Sequence, residues 1–403
     1  MTIASPERGA PASAPARVAA AGRTRPPRVA RPTLIAYDLR FAEDSYTGIG
    51  THAYSLLDAL LALPGDERYG VIWDDTLGNS RFDFEPIRRH PRVTWVEGRF
   101  APRAVPSLWK IGKLLRDLDA SVYLSPFYFM PLGAGCPCVL TLHDVWPLRW
   151  PQGLRFWPRT LYQLSIARTT GARFVLTSSE FSRREIAELS ALQPEQVRVV
   201  TLGVPASGAG LEPRRPSGLP EGPYALVVGI NKPHKNLSTL VAAWSRFGAS
   251  PALRLVSAGP EDRRHPGLGR LATVTGAHKV TALGRVGEDE LDWLYRHAEL
   301  VLFPTLYEGF GLPMVEAFAR GTPVIASDIP TLRETGEGIA RFVPPLDVAA
   351  WAAAICEVAR GARDREAMAR AGLERARELT YERTARATLE VLREALTPAE
   401  VEG

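Results

Sequence analysis

The chain has 403 residues, of which 45% are hydrophobic and 23% charged, and this length predicts two domains of roughly 180 residues each. No run of eighteen apolar residues occurs, which excludes a membrane-spanning helix, and residues 1–31 lack the hydrophobic centre of a secretory signal. We therefore expect a cytoplasmic protein. The net charge of +5 equals the surplus of six arginines over Glu7 in residues 1–31, so the folded part is near neutral and nucleic-acid binding is not expected.

The elements in chain order predict a tail, two α/β domains and a linker. Residues 1–31, rich in Ala, Pro and Arg, predict a disordered tail, with a basic anchor to anionic lipid at the inner membrane as the alternative to a solvated segment. Strands and helices then alternate through residues 32–205, a pattern typical of parallel sheets covered on both faces. The predicted strands are 33–38, 69–73, 92–96, 121–124, 138–143 and 173–177.

Residues 206–223, rich in Gly, Pro and Ser, predict the linker, and residues 224–380 predict the second domain. Its predicted strands are 224–229, 254–258, 279–283, 300–303 and 323–327. Two closing helices follow, the last at about 381–396. The fold class is therefore α/β, with two doubly wound parallel sheets.

A glycine turn between two carboxylates follows the fourth of these strands. The segment reads Glu308-Gly309-Phe310-Gly311-Leu312-Pro313-Met314-Val315-Glu316. Pro313 suits the opening turn of a helix that runs to about Arg320, and glycines before a helix start let the backbone approach a diphosphate closely. We place Glu308 on the loop and Glu316 in the first helical turn, so that their carboxylates accept hydrogen bonds from different parts of a bound molecule.

A lysine-bearing loop follows the strand at 224–229. The chain has five lysines against 44 arginines, and Lys232 and Lys235 both fall in this loop. A compact ammonium group is a good point-charge partner for phosphate. The two loops together predict a nucleotide-sugar site, in which a diphosphate lies between two hydroxyl-bearing rings.

The first half adds two more loops. Gly48 and Gly50 begin a helix with a Gly-x-Gly-x-x-Ala spacing, which favours a dinucleotide site only if the turn directly follows the first strand. About nine residues separate Asp38 from Gly48, so an NAD-dependent dehydrogenase is the weaker alternative. His143 and Asp144 end the fifth predicted strand, at the carboxyl edge where open α/β sheets bind ligands.

Residues from about 33 to 396 resemble a retaining glycosyltransferase of the GT-B class, the group that uses nucleotide-sugar donors and carries a Glu-x7-Glu motif. Glu308 and Glu316 match that motif. Four further matches stand in the usual order of the family, at 233–236, 258–260, 283–286 and 321–327. The resemblance implies two Rossmann-like domains facing a cleft, with the helix at 381–396 packing back on the first domain.

The resemblance also implies site residues. The catalytic candidates are His143, Lys235 and Glu308. The donor-binding candidates are Gly48, Gly50, Lys232, Lys235, Gly309, Phe310, Gly311, Leu312 and Glu316. Since Lys235, with Lys232 or Arg285, can supply the charge that a metal would otherwise provide, we expect neither a metal nor another cofactor.

The acceptor side is assigned to a segment rich in aromatic and arginine side chains. Residues 146–159 fit a glycan or a lipid-diphosphate carrier, with ordinary packing of a helix on the sheet as the alternative. The acceptor candidates are Asp144, Trp146 and Arg149. Asp117 and Asp119 match a metal-binding Asp-x-Asp, but they precede a strand and so lie at the opposite edge of the sheet from the cleft.

We therefore expect a retaining, metal-independent hexosyltransferase of surface polysaccharide biosynthesis. GDP-mannose is the favoured donor because residues 143–151 and 178–182 look most like mannosyltransferases, and UDP-glucose is the alternative. The partners are then the nucleotide-sugar and a glycan or lipid-linked acceptor. A non-catalytic homologue that only binds nucleotide-sugar is the alternative class of protein.

Overall fold

A computed structural model describes Met1 and residues 32–44, 47–102, 104–149, 156–204, 212–247 and 252–397, and it contains two parallel β-sheets. Residues 2–31 of the predicted tail and residues 206–211 of the predicted linker lie outside the described residues, as do Trp150 and Arg155. Every ladder within the two sheets is parallel, which confirms the predicted fold class.

The first sheet has seven strands in the order β3-β2-β1-β4-β5-β6-β7. Its strands are β1 Leu34–Asp38, β2 Arg68–Trp73, β3 Val93–Glu97, β4 Val122–Ser125, β5 Cys138–Thr141, β6 Phe174–Thr177 and β7 Val197–Val199. The α-helices between them are α1 Thr47–Ala62, α2 Glu85–Arg88, α3 Ser107–Asp117, α4 Trp146–Arg149, α5 Phe156–Arg168 and α6 Glu180–Leu189. The strands β4, β5 and β6 are buried along their whole length, because helices cover both faces of a parallel sheet.

The second sheet has six strands in the order β10-β9-β8-β11-β12-β13. Its strands are β8 Tyr224–Val228, β9 Arg254–Ala258, β10 Val280–Ala282, β11 Leu300–Phe303, β12 Val324–Ser327 and β13 Arg341–Val343. The accompanying helices are α7 Leu237–Phe247, α8 Leu268–Thr275, α9 Glu288–His297, α10 Leu312–Ala319, α11 Pro330–Gly336, α12 Val348–Arg360, α13 Ala362–Glu378 and α14 Tyr381–Leu396.

Apolar side chains cover both faces of each sheet, and α14 belongs to the core of the first. Leu389 and Leu392 of α14 are buried in the same cluster as Leu57 of α1. Near the end of α14, the Arg393 guanidinium lies 2.6 Å from the carboxylate of Glu67. The last helix therefore packs against the first sheet, although it follows the second in sequence.

Three predictions about the elements were wrong. Edge strands β7 and β13, each of three residues, were not predicted, because neither run is long or uniformly apolar. Four helices rather than two follow β12. The strand at 138–143 ends at Thr141, so His143 lies on the loop beyond it.

Candidate active site

A cavity of about 710 Å³ lies between the two sheets. Loops that follow β5, β8 and β11 form its wall, together with the start of α1, and these loops extend from the carboxyl ends of parallel strands. The sequence-predicted residues that line it are Gly48, His143, Asp144, Lys235, Glu308, Gly309, Phe310, Gly311, Leu312 and Glu316, and Arg285 lines it as well. The structure thus brings together side chains from distant parts of the chain.

Lys235 is held at this cavity by a rigid turn. The 3-10 turn Pro233–Lys235 ends at Asn236, whose backbone is left-handed with φ 52°. The Asn236 side-chain amide donates to the carbonyl oxygens of Pro304, at 3.0 Å, and Pro345, at 2.7 Å. The Lys235 ammonium lies 2.6 Å from Glu308 Oε1, and the two side chains are only 16% and 14% exposed. A shielded cation therefore faces the cavity beside the Glu308 carboxylate.

Glu316 lies deeper, on the second turn of α10. The prediction placed it in the first turn, but α10 begins at Leu312, one residue after Gly311, whose φ of 101° turns the chain into the helix. Its Oε2 accepts a hydrogen bond of 2.7 Å from the Tyr295 hydroxyl, and burial raises the pKa of the Glu316 carboxyl. Tyr295 therefore fixes the direction in which this carboxylate points into the cavity.

The loop between Glu308 and α10 is bonded to the first half of the molecule. The carbonyl oxygen of Gly309 accepts hydrogen bonds from the hydroxyls of Ser178 at 3.1 Å, Ser179 at 2.9 Å and Ser182 at 3.1 Å. All three serines are buried at the start of α6. A Cβ added at Gly309 would lie 2.1 Å from the backbone oxygen of His143, so only glycine fits this contact. The cavity is therefore closed on this side by contact between the two halves.

His143 contributes a neutral imidazole to the same cavity. Its Nε2 lies 3.2 Å from the Pro126 carbonyl oxygen, and its ring meets the ring of His52 edge to face at 5.1 Å. Burial lowers the pKa of His143 to about 4, so the ring is uncharged at neutral pH. Burial raises the pKa of the neighbouring Asp144 carboxyl, which accepts a 3.0 Å hydrogen bond from the Trp146 backbone.

The opposite side of the cavity is closed by residues that the sequence did not single out for the site, apart from Arg285. The Arg81 guanidinium lies 3.1 Å from Glu288 Oε1 and donates to the Thr51 hydroxyl at 2.6 Å. Arg285 donates to the backbone oxygen of Asp44 at 3.0 Å. A glycine at the end of a strand or an isolated carboxylate can be recognised in the sequence. These pairs cannot, because they depend on how the two sheets pack against each other.

Four predicted site residues are not among those that line this cavity. Gly50 packs α1 against the preceding turn, where an added Cβ would lie 3.0 Å from the Phe41 carbonyl oxygen. The Trp146 ring packs 5.0 Å from the ring of His234, and Lys232 also lies outside the lining. Arg149 bonds to Glu185 and lines a second, smaller cavity.

Metal-ligating side chains do not gather in the described residues into any group of three or more. Asp117 ends α3, and Asp119 follows it before β4 begins, so both lie at the amino edge of the first sheet. In the same part of the chain, no helix combines the length and apolarity that crossing a bilayer requires.

Known proteins resemble both halves of the chain in sequence. Residues 222–360 match the family of glycosyl transferases group 1, and residues 46–207 match glycosyltransferase family 4. The chain is 29% identical over 286 residues to O-antigen chain mannosyltransferase B of Escherichia coli, which covers 66% of this chain and 73% of that protein. It is 31% identical over 218 residues to O-antigen chain mannosyltransferase RfbU of Salmonella typhimurium, covering 54% and 59%.

Solved structures share the fold. Sucrose-phosphate synthase from Thermosynechococcus elongatus is 21% identical with a TM-score of 0.64, over 90% of this chain and 98% of that one. Anabaena HepE, in its complex with UDP and glucose, is 16% identical with a TM-score of 0.66, over 90% and 100%. The two family models thus match separate stretches of the chain, one in each half, and the solved structures share its GT-B fold of two parallel-sheet domains. The chain spans little more than half the length of the Salmonella relative.

Proposed function

We propose that the protein transfers a hexose, with mannose favoured, from a nucleotide-sugar to a glycan or lipid-linked acceptor in surface polysaccharide biosynthesis. The transfer retains the anomeric configuration and requires no metal. The observation that carries the proposal is that Lys235, Glu308, Glu316 and the glycine turn before α10 line one cavity with His143 of the other sheet.

The donor diphosphate is assigned to the space between Lys235 and the start of α10. The first N–H groups of a helix have no partners within the helix, and the positive end of its dipole favours an anion. Lys235 adds an ammonium group that is paired with Glu308 and shielded from water. The developing negative charge on the leaving diphosphate would be stabilised there, which is the role a metal plays in other transferases.

Glu316 is assigned to the nucleoside and Glu308 to the donor sugar. Glu316 is oriented by Tyr295, and its remaining oxygen suits the hydroxyls of a ribose. Glu308 lies next to Lys235, so a sugar attached to the bound phosphate would reach its carboxylate. The spacing of these two residues is that of the Glu-x7-Glu motif.

His143 is assigned to the reacting end of the sugar as an uncharged hydrogen-bonding group. With a pKa of about 4 the ring does not act as a cation at neutral pH. The acceptor hydroxyl would attack on the face from which the diphosphate departs, and a leaving phosphate oxygen would take its proton. Gly48 lines the same cavity from the side of the first sheet, and we assign it to the donor phosphates.

Mannose and GDP are favoured because the relatives named above are mannosyltransferases, as is the MMP alpha-(1->4)-mannosyltransferase of Mycolicibacterium hassiacum, which is 31% identical over 230 residues. That match covers 53% of this chain and 54% of the relative. UDP-glucose stays the alternative donor. A lipid-linked acceptor would bring the protein to the cytoplasmic face of the membrane.

A panel of donors tests the proposal. The purified protein is incubated with GDP-mannose, UDP-glucose and ADP-glucose, and release of the nucleoside diphosphate is measured with and without methyl glycosides as simple acceptors. We expect release from one donor, in the presence of a chelator, and loss of release in Lys235→Ala. Tight nucleotide binding without any release would instead support the non-catalytic homologue.

A further inference from the structure

A second cavity of about 160 Å³ adjoins the first and shares one residue with it. Glu308 lines both cavities: its carboxylate pairs with Lys235 of the large cavity, and its backbone oxygen accepts a 2.9 Å hydrogen bond from the Thr331 hydroxyl of the second. The remaining lining comes from both halves of the molecule: Arg149, Phe181, Glu185, Leu306, Tyr307, Ile329, Pro330 and Thr331. At roughly 30 Å³ per water molecule, the space equals about five waters, which is the size of one sugar ring.

The second cavity contains a buried carboxylate oxygen without a partner. Glu185 is only 5% exposed, and its Oε1 accepts a 2.8 Å hydrogen bond from Arg149 Nε. Its Oε2 is buried and has no hydrogen-bond partner within 3.5 Å among the described groups, and the Tyr307 hydroxyl lies close enough to interact with the carboxylate. A buried acceptor without a full hydrogen bond is unfavourable, so a ligand that donates a hydrogen bond there would be stabilised. Sugar hydroxyls are such donors.

Two aromatic side chains also line the second cavity. The rings of Phe181 and Tyr307 lie 6.0 Å apart in an edge-to-face arrangement, and Phe181 is half-buried rather than covered. Phe181 and Glu185 are four residues apart on α6, so they lie on the same side of that helix. Aromatic faces pack on the apolar C–H faces of sugars, while carboxylates and guanidinium groups bind their hydroxyls. Aromatic rings beside a carboxylate and an arginine are the composition of a carbohydrate site.

The charges of the second cavity exclude the donor diphosphate. Its charged lining consists of Arg149, Glu185 and Glu308; counted together with their ion-pair partners Lys235 and Glu188, two cations face three carboxylates, which leaves one net negative charge. Arg149 is also 3.3 Å from Glu188, so two carboxylates, Glu185 and Glu188, already pair with its guanidinium group. A phosphate would be repelled here, whereas an uncharged sugar would not.

We propose that this second cavity, built around Glu185, Arg149 and Phe181, is a subsite for one sugar unit of the acceptor. The inference rests on the proposed function and deepens it, since it makes the acceptor a carbohydrate in contact with the protein beside Glu308. Arg149, which the sequence analysis named as an acceptor residue, therefore belongs to a site separate from the large cavity. Glu185 and Phe181 are specificity residues of that site.

The test measures binding of simple sugars and does not require catalysis. Methyl glycosides of mannose, glucose and galactose are studied by saturation-transfer NMR in the presence of saturating GDP, which occupies the large cavity. We expect at least one glycoside to bind, and its affinity to fall about tenfold in Glu185→Gln and Phe181→Leu, the loss of one good hydrogen bond or ring contact. Thermal unfolding confirms that both variants are folded.

Glu188→Gln is the matched control. Glu188 contacts the same arginine but is 63% exposed and does not line the cavity, so its loss should leave glycoside binding unchanged. The subsite is overturned if no glycoside binds the wild type, if GDP displaces the glycoside, or if the Glu185 and Phe181 variants bind as well as Glu188→Gln. Glycoside binding without nucleoside diphosphate release in the donor panel would leave a sugar site at Glu185 and Phe181, but would remove the transferase proposal and with it the role of that site as an acceptor subsite.

Discussion

The two walls of the large cavity differ in the chemistry that they present. The wall from the second sheet carries charged side chains beyond the ends of its strands, with Lys235 and Glu308 on loops and Glu316 on α10. The part of the wall formed by the first sheet between Gly48 and Ser178 has the charged residues Arg81 and Asp144 together with a neutral imidazole, a buried hydroxyl and a helix start. A charged substrate is therefore expected to bind the second half, while the first half closes over it.

The two walls are also held together by different contacts on the two sides of the cavity. On one side, three buried hydroxyls converge on the carbonyl oxygen of Gly309, and the Glu334 carboxylate accepts from the backbone N–H groups of Glu180 and Phe181 at 2.9 and 2.6 Å. On the other side, the partly exposed ion pair between Arg81 and Glu288 and the exposed hydrogen bond from Arg285 to the Asp44 backbone join the two halves. Buried hydrogen bonds are more costly to break than exposed ion pairs, so we expect the Arg81 side to open first.

The largest effect is expected when the charge of the second wall is removed. Lys235→Ala should lower turnover by about a hundredfold or more, because the leaving diphosphate loses a preorganised cation, while the thermal unfolding temperature stays near that of the wild type. Steady-state kinetics on the donor that the panel identifies measures this. Lys110→Ala, at an exposed position on α3, is the control, and equal rates in both variants would contradict the assignment of charge to the second wall.

The contact between the walls is tested by Gly309→Ala. The new methyl group would lie 2.1 Å from the His143 backbone oxygen and force the two halves apart, at an expected loss of about 2 kcal/mol in the free energy of unfolding. Denaturant unfolding measures the loss. Gly269→Ala is the matched control, because a Cβ there meets nothing within 4 Å and alanine favours helix α8. A Gly309 variant as stable as that control would show that the halves do not meet here.

A smaller effect is expected at the nucleoside end of the same wall. Glu316→Ala should weaken binding of the nucleoside diphosphate by about tenfold, since one charge-assisted hydrogen bond to the ribose is lost. Tyr295→Phe, which removes only the group that orients Glu316, should weaken it less. Isothermal titration calorimetry measures both, with the exposed Glu357→Gln as control, and unchanged affinity in Glu316→Ala would withdraw the ribose assignment.

The smallest effect concerns the neutral imidazole of the first wall. An unfolded histidine has a pKa near 6.5, whereas that of His143 is about 4, so below pH 6.5 the unfolded chain binds the proton that the folded chain does not. Stability from this group is therefore lost as pH falls from 6.5 towards 4, by about 0.8 kcal/mol at pH 6.

Denaturant unfolding at pH 8 and pH 6 tests this, in the wild type and in His143→Gln. The glutamine variant should lose about 0.8 kcal/mol less stability between the two pH values than the wild type does. Turnover of the wild type should show no inflection near pH 6.5 that belongs to His143. An equal pH response of the two proteins would mean that the imidazole of His143 titrates normally.

Most of the fold could be predicted because the strands of both sheets are buried apolar runs. Leu300–Phe303 and Arg254–Ala258 have the predicted bounds, as periodicity and burial both mark them. The edge strands Val197–Val199 and Arg341–Val343 could not be predicted. Each is only three residues long and not uniformly apolar, and each becomes a strand by pairing with one neighbour in the folded sheet. The extra helices after β12 were missed for a related reason, since α13 is polar over most of its surface and buries only Gly372.

The candidate site could be predicted where a residue lies on the loop that follows a strand. Lys235, His143 and Glu308 occupy such loops, and topology places the ends of parallel strands at one edge of a sheet. Tyr295, Arg81 and Glu185 could not be predicted, because they lie on helices or a long loop and reach the cavities only through tertiary packing. The geometry of these groups is therefore information that only the structure supplies.

A double-mutant cycle on nucleotide binding tests most directly whether the two strand-ending loops form one diphosphate site. GDP, UDP and ADP are titrated calorimetrically into the wild type, Lys235→Ala, Glu316→Ala and the double variant. We predict that one nucleotide binds, that each single substitution weakens it, and that the two losses add to within about 0.5 kcal/mol, since the side chains hold different ends of one ligand. Unchanged affinity in either single variant, or no binding of any of the three nucleotides, would contradict it.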